Sequence, residues 1–356
     1  MDKGGSERVT SVLANRFSES QYNVKILTLY KSNSSYNLKS SVTIHSLGVN
    51  HSKNQLSLIS KVKNFISRTY LLGKYFKDKD DIVIILSSDI LNASLVVAKL
   101  FFGLKNKLIL SCRSNPLKAR KFFIRKIIYF FYKYGDAVVL QTKYLEEFMS
   151  TKVAPSRIFI INNPSEIKIS SNQYLKNTKE IDFLSVGRIN KVKNHLDIVK
   201  AVDIINKNKK KKINLHIVGR DDGGKKQILN YVSDNNLNDF IFFPGEVNDI
   251  GNYYKKANVL IHYSNYEGQS NVIIESQKYG IPCIVSDFDG VEYIIKNRTN
   301  GIIVKKSNPK LLAKEMQSLL FDKNLKKMMS KKSYNFSSKY DIEKIFKNWN
   351  ELINSL

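Results

Sequence analysis

The stretch IDFLSVGRINKVKNH, residues 181–195, decides the fold. Its first six residues form a mostly apolar run, Gly187 breaks it, and a helical pattern opens at about His195. That is one strand–turn–helix unit. Runs of the same kind recur downstream at 215–218, 240–243, 259–262, 283–285 and 302–304. Upstream they lie at 24–29, 42–47, 82–86, 108–112, 137–140 and 158–161. Several are almost continuously apolar, as strands buried on both faces of a parallel sheet must be. Strands alternating with helices predict repeated βαβ units and an α/β fold. The rhythm breaks at 162–179, which begins Asn-Asn-Pro-Ser, so the reading gives two α/β domains, 1–165 and 166–338. The tail, 339–356, carries Ile342, Ile345, Phe346, Trp349 and Ile353 on one side of a helix, which is expected to pack back on the first domain.

Length agrees with this division, since 356 residues at roughly 150 per domain suggest two cores. A hydrophobic content of 42% excludes wholesale disorder. Two cysteines, neither in a C-x-x-C pair, exclude a disulfide scaffold. No apolar run reaches the ~18–20 residues of a membrane span, and the opening MDKGGSERV does not read as a signal peptide. These features predict a cytoplasmic protein, soluble or peripheral. The charge is lopsided: 58 Lys and Arg against 31 Asp and Glu give +27. Much of it is compositional, as in the run 209–212 of four lysines. Between Asp89 and Asp136, however, ten basic residues occur and no acidic one.

In doubly wound sheets ligands bind beyond the carboxyl ends of the strands, where helix N-termini favour anions. After the strand at 181–186 come Gly187, Arg188 and, six residues past the glycine, Lys193. A glycine turn with an arginine and a lysine at a helix mouth suits a diphosphate, by backbone N–H groups, a forked guanidinium and a point charge. A basic loop that merely caps a helix has the same composition. After the strand at 259–262 comes SNYEGQSNVIIE, with Glu267 in a glycine-containing loop and Glu275 a turn into the next helix. Two carboxylates so placed can accept hydrogen bonds from a sugar and a ribose, and the N–H groups of Gly268, Gln269, Ser270 and Asn271 can meet phosphate.

These segments resemble a known family. GRINKVKN (187–194), HIVG (216–219), FPGEV (243–247) and YEGQSNVIIESQKYGIPCIVSDFDG (266–290) are similar to the retaining glycosyltransferases of family 4. GGSERVTSVLANRF (4–17) resembles their glycine-rich first loop and helix. The resemblance implies a GT-B fold, two Rossmann-like domains facing across a cleft, and transfer from a nucleotide-sugar, UDP-linked by expectation. It implies a saccharide acceptor carried on a polyprenyl diphosphate, in surface polysaccharide (O-antigen or capsule) synthesis on the inner face of the plasma membrane. Residue by residue, Arg188 and Lys193 would hold the donor diphosphate and stabilise the leaving nucleotide. Glu267 would face the transferred sugar, and Glu275 would take the ribose hydroxyls. Gly187, Gly219, Val247 and the 268–271 loop would line the donor site, with Gly5 near the diphosphate. Gly4, Arg113 and Asn115 would lie on the acceptor side. No metal and no cofactor are implied, the Arg/Lys pair standing in for a cation. An epimerase or hydrolase of the same fold, or a non-catalytic nucleotide-sugar-binding subunit, shares these motifs.

Two departures stand out. Relatives open with an apolar strand before the glycine loop, whereas here Gly4 follows Met1 by three residues, so a first strand is expected to be missing and an upstream extension to stabilise the fold. Arg113 stands where many members carry a histidine, either as a phosphate ligand or as a structural arginine. His195 reads as a cap or surface residue, His262 as packing or sugar contact, and Asp287 as part of a glycine turn. Finally, 117–134 interleaves Lys118, Arg120, Lys121, Arg125, Lys126 and Lys133 with seven large apolar side chains. It reads as a core-facing helix with solvated lysines or, as the resemblance favours, a helix on an anionic membrane surface. Nucleic acid is not expected, since no nucleic-acid motif accompanies the charge.

Overall fold

The computed structural model describes residues 4–20, 22–30, 36–49, 58–113, 115, 122–169, 181–208 and 212–356. Lys118, Arg120 and Lys121 lie outside the described residues. The chain divides into two compact units, Met1–Glu166 with Tyr340–Leu356, and Ile167–Lys339.

The first unit opens with α1 (Gly5–Glu19), followed by β1 (Lys25–Thr28), β2 (Thr43–Ser46), α2 (Leu58–Phe76), β3 (Ile82–Ile85) and α3 (Asp89–Phe102). Then come β4 (Lys107–Cys112), α4 (Phe122–Phe130), β5 (Ala137–Leu140) and β6 (Ile158–Ile160). All pairings are parallel, yet the sheet is in two pieces, β1–β2 and β3–β4–β5–β6. The pieces share both apolar layers. On one side Val24, Ile84, Leu86 and Ile109 pack with α1. On the other, Leu27, Leu47, Val83 and Ile85 join Leu72, Phe76 and Val96 of α2 and α3. Among the described residues no strand precedes α1, and neither β1 nor β3 has a second neighbouring strand. Val83 and Ile84 are accordingly only half-buried, while β5 is buried throughout.

The second unit runs β7 (Ile181–Val186), α5 (His195–Asn208), β8 (Leu215–Val218), α6 (Lys225–Asp234), β9 (Ile241–Gly245), α7 (Ile250–Lys256) and β10 (Ala257–His262). It continues with α8 (Asn271–Lys278), β11 (Cys283–Ser286), β12 (Gly301–Val304), α9 (Pro309–Phe321) and α10 (Lys323–Phe336). Its six parallel strands lie in the order β12-β11-β10-β7-β8-β9. The order reverses between β7 and β10, so the loops leaving those two strands flank the crevice where a doubly wound sheet takes its ligand. Phe183, Ile217, Val259 and Ile284 make one face of this sheet's core, and Leu184, Leu260, Cys283 and Val285 make the other. The near-continuous apolar runs therefore follow from burial on both faces.

The chain returns to the first unit as α11 (Ile342–Asn354). Ile342, Ile345, Trp349 and Leu352, spaced three and four apart, bury against Val9, Val12, Leu13 and Phe17 of α1. Each such side chain contributes about 1.5–3 kcal/mol of transfer free energy. Arg16 adds a forked contact to Glu343, at 3.1 Å from Nε to Oε1 and 2.7 Å from Nη2 to Oε2.

Candidate active site

The turn after β7 is shaped by one side chain and two glycines. The Asn190 side-chain oxygen accepts from the backbone N–H groups of Val192 and Lys193, at 3.1 and 3.2 Å. That fold-back carries Lys193 over the end of the strand. Gly187 sits at φ +146° and Gly219, at the end of β8, at φ +153°. A Cβ on Gly219 would stand 2.0 Å from the Gly187 carbonyl oxygen, so the two loops touch backbone to backbone. Gly219 thus has a steric role in setting the Gly187–Arg188 turn. The Arg188 guanidinium, more than half exposed, donates to Asp222 at 3.1 Å, and the Asn190 amide donates to the same oxygen at 2.9 Å.

The loop after β10 is tied to that turn. Asn265 donates its backbone N–H to the Val192 carbonyl at 2.8 Å and its side-chain amide to the Lys191 carbonyl at 2.9 Å. The result brings Lys193 to Glu267, with Nζ to Oε1 at 2.5 Å. The same oxygen lies 2.9 Å from Nε2 of the buried His262, whose ring is also 3.2 Å from the Ser264 hydroxyl. Burial by itself would raise the Glu267 carboxyl, but the Lys193 charge, and then His262, hold it well below the usual carboxylate range. Burial pushes the His262 pKa down, against the pull of Glu267, so at neutral pH its imidazole is uncharged and donates its Nε2–H to the carboxylate. His195, at the start of α5, is buried rather than a surface residue. Burial first, then Lys193 and His262, pushes its pKa down to about 3.

Glu275 is buried on α8, where its Oε2 accepts from the Tyr254 hydroxyl at 2.9 Å. Tyr254 in turn stacks on Tyr279, with centroids 5.2 Å apart. The sequence reading missed Tyr254; a tyrosine on a short helix 21 residues upstream carries no pattern that points to Glu275. Gln269 and Ser270 are buried beside the α8 N-terminus, Gly268 and Asn271 half-buried, and Val247 packs on the core under β10. The structure therefore assembles Gly187, Arg188, Lys193, Gly219, Glu267 and the 268–271 loop around the switch point. Asp287 accepts from the Lys306 N–H at 2.8 Å, which ties its loop to the one that follows β12. Among the described residues no group of three His, Cys, Asp or Glu is placed to hold a metal ion.

The first unit holds the other candidates. Gly4 caps α1 in extended conformation, its N–H donating to the Tyr36 hydroxyl at 3.1 Å, and Gly5 opens the helix. Arg113 follows β4 and donates to Asn163 Oδ1 at 2.5 Å, which also accepts from Gln141 at 2.6 Å. Burial lowers the guanidinium to about 10, against the lift from Cys112 and from Glu7 in the first turn of α1. Glu7 is thus close enough to act on the Arg113 charge. Asn115 is buried.

Comparison with known proteins finds a family match within the second unit and relatives along the whole chain. The glycosyl transferases group 1 family matches residues 166–336. The amylovoran biosynthesis glycosyltransferase AmsD of Erwinia amylovora is 26% identical, with 99% of this chain and 97% of that protein covered. A Campylobacter jejuni enzyme is 28% identical over 99% of this chain and 96% of its own; it is an α-1,4-N-acetyl-D-galactosaminyltransferase named for a saccharide on PP-undecaprenol. Anabaena HepE, solved in complex with UDP and glucose, superposes with a TM-score of 0.81 at 13% identity, covering 100% of this chain and 97% of its own. The fold is GT-B.

Proposed function

We propose, for a glycosyltransferase chain that belongs over residues 166–336 to the glycosyl transferases group 1 family, that it moves a sugar with retention from a UDP-sugar to a saccharide on a polyprenyl diphosphate. The reaction serves bacterial surface polysaccharide synthesis, at the inner face of the plasma membrane. The observation that carries this reading is the Lys193–Glu267 pair at the switch point of the second unit. Departure of a nucleoside diphosphate puts negative charge on the leaving phosphate and positive charge on the anomeric carbon. An ammonium and a carboxylate held 2.5 Å apart, in a partly water-excluded site, answer both charges at once. Lys193, with Arg188, the Gly187 turn and the α5 N-terminus, takes the diphosphate, and Glu267 faces the sugar ring. Glu275 holds the ribose hydroxyls, oriented by Tyr254. The anomeric C–O bond to the phosphate breaks, the acceptor hydroxyl oxygen bonds to the same face, and its proton passes to the departing phosphate oxygen. No metal or cofactor is needed in this scheme.

Support for donor and acceptor comes from the relatives: HepE was solved with UDP and glucose, and the Campylobacter enzyme is named for an undecaprenyl-diphosphate saccharide and an α linkage. In the first unit, Arg113 and the α1 N-terminus, with Gly4, Gly5 and Asn115, provide the cationic end for an acceptor phosphate. Among the described residues no helix is long and apolar enough to cross a membrane. Thermal-shift titration with UDP-, GDP- and dTDP-sugars tests the donor, and product analysis with labelled donor tests the reaction. Donor binding without transfer supports a binding subunit, and free sugar or an epimerised donor supports the hydrolase or epimerase alternative.

A further inference from the structure

Three helices of the first unit leave apolar side chains on the outside, two of them as stripes in register with helical geometry. On α2, Ile59, Val62, Ile66 and Tyr70 recur at steps of three and four and are all exposed, Ile59 by 70%. The same helix buries Leu72 and Phe76. On a wheel of 100° per residue the exposed stripe lies between that buried face and Lys63 and Lys74. On α4, Phe123, Ile127 and Phe130 form a second exposed stripe, Phe123 by 77%, while Ile128 and Tyr129 face the core. Between them α3 ends in Leu100 and Phe101, the latter 82% exposed. Phe102, next to it, reaches Tyr70 of α2 with ring centroids 6.1 Å apart, and α4 packs on the other flank of α3. Single exposed apolar residues are ordinary; exposed stripes on two helices, with the apolar end of a third packed against both, mark an interaction surface.

Charge identifies the partner. No acidic residue occurs from Ser20 to Lys77, nor from Ile90 to Gly135, so α2 and α4 contain none and α3 only its first residue, the buried Asp89. Lys63 and Lys74 border the α2 stripe, Lys126 borders that of α4, and Lys133 lies over the Phe130 ring at 3.8 Å. The acidic groups nearby are Asp136, held by Lys99 at 2.8 Å, and Asp78, Asp80 and Asp81, beyond the C-terminal end of α2. A second copy meeting this face isologously would press two cationic rims together, which disfavours self-association. An apolar face with lysines at its border is built to sink into an acyl–headgroup boundary.

We propose that α2, α3 and α4 together form one face that docks on an anionic lipid bilayer. The proposal deepens the reading of a membrane-linked acceptor and rests on it, but it extends the surface from the single segment at 117–134 to three helices.

Vesicle sedimentation of the full chain tests it, with phosphatidylcholine alone against phosphatidylcholine containing 30% phosphatidylglycerol. Binding at least tenfold stronger to the anionic vesicles is expected. Ile66→Glu on α2, Phe101→Glu on α3 and Ile127→Glu on α4 should each weaken it on the order of tenfold, with melting temperatures and light-scattering mass unchanged. Equal binding to neutral vesicles overturns the proposal. So does loss confined to Ile127→Glu, which would leave α4 acting alone, or a wild-type dimer that these variants dissociate. Transfer to a water-soluble acceptor, measured in the same variants, separates the two readings. Transfer without vesicle binding removes the docking face and keeps the enzyme; vesicle binding without transfer does the reverse.

Discussion

Lys193 and Glu267, 74 positions apart in the chain, meet at 2.5 Å because Asn190 folds one loop back and Asn265 laces the other to it. In the proposed reaction this lysine is shared between the carboxylate and the incoming diphosphate. Removing either partner should therefore change donor binding in opposite directions. Lys193→Met should weaken UDP binding, while Glu267→Gln, by freeing the ammonium, should tighten it. Both should lower kcat on the order of 10²–10³-fold. Calorimetric titration of UDP together with steady-state rates checks this; weaker UDP binding in Glu267→Gln contradicts the shared-lysine account.

Gly219 offers a steric test. With Gly187's carbonyl oxygen 2.0 Å from where its Cβ would be, Gly219→Ala must displace the Gly187–Arg188 turn. Gly223 also has a positive φ, +84°, but open space around it. Gly223→Ala should cost only the left-handed penalty of about 1–2 kcal/mol and keep donor affinity. Gly219→Ala should lose both stability and UDP binding, as read by melting temperature with and without UDP.

Acid should unfold the second unit through its buried site. His195, neutral when folded and with its pKa pushed down to about 3 from 6.5, takes up a proton in the unfolded chain first. Between about pH 6.5 and 3 the unfolded state binds more protons, so His195 lends stability at neutral pH that is lost as pH falls through this window. Glu267, with its pKa lowered from 4.5, adds a further loss below about pH 4.5. The melting temperature should fall from pH 7 to 4, and His195→Asn should flatten that slope. An unchanged slope in the variant contradicts the assignment.

The divided sheet of the first unit has a backbone signature. With only β4 beside it among the described residues, β3 leaves alternate N–H groups unpaired. Hydrogen exchange should find protection in β3 at least tenfold below that in β5, which is flanked on both sides. Equal protection in the two strands would mean that β3 is paired in solution.

How far the sequence could be read follows from what each residue depends on. Strands such as β4, β5 and β10 were legible because double-sided burial writes continuous apolar runs, and Gly187, Arg188, Lys193 and Glu267 because each falls shortly past such a run. Partners brought in by tertiary packing were not. Tyr254 against Glu275 and Asp222 against Arg188 join residues from different loops with no shared spacing. His195 looks like a surface residue at a helix start, yet the fold buries it. The exposed stripe of α2 has the same composition as a core stripe, so the sequence alone could not show which side faced outward.

Sugar transfer is proposed to take place at the Lys193–Glu267 site. The direct measurement incubates the chain with a labelled UDP-sugar and an undecaprenyl-diphosphate saccharide, follows label into the lipid fraction, and determines the anomeric configuration by NMR. The prediction is an α-linked product formed with retention, and a rate at least a hundredfold lower in Lys193→Met. An inverted product, or full activity in that variant, contradicts it.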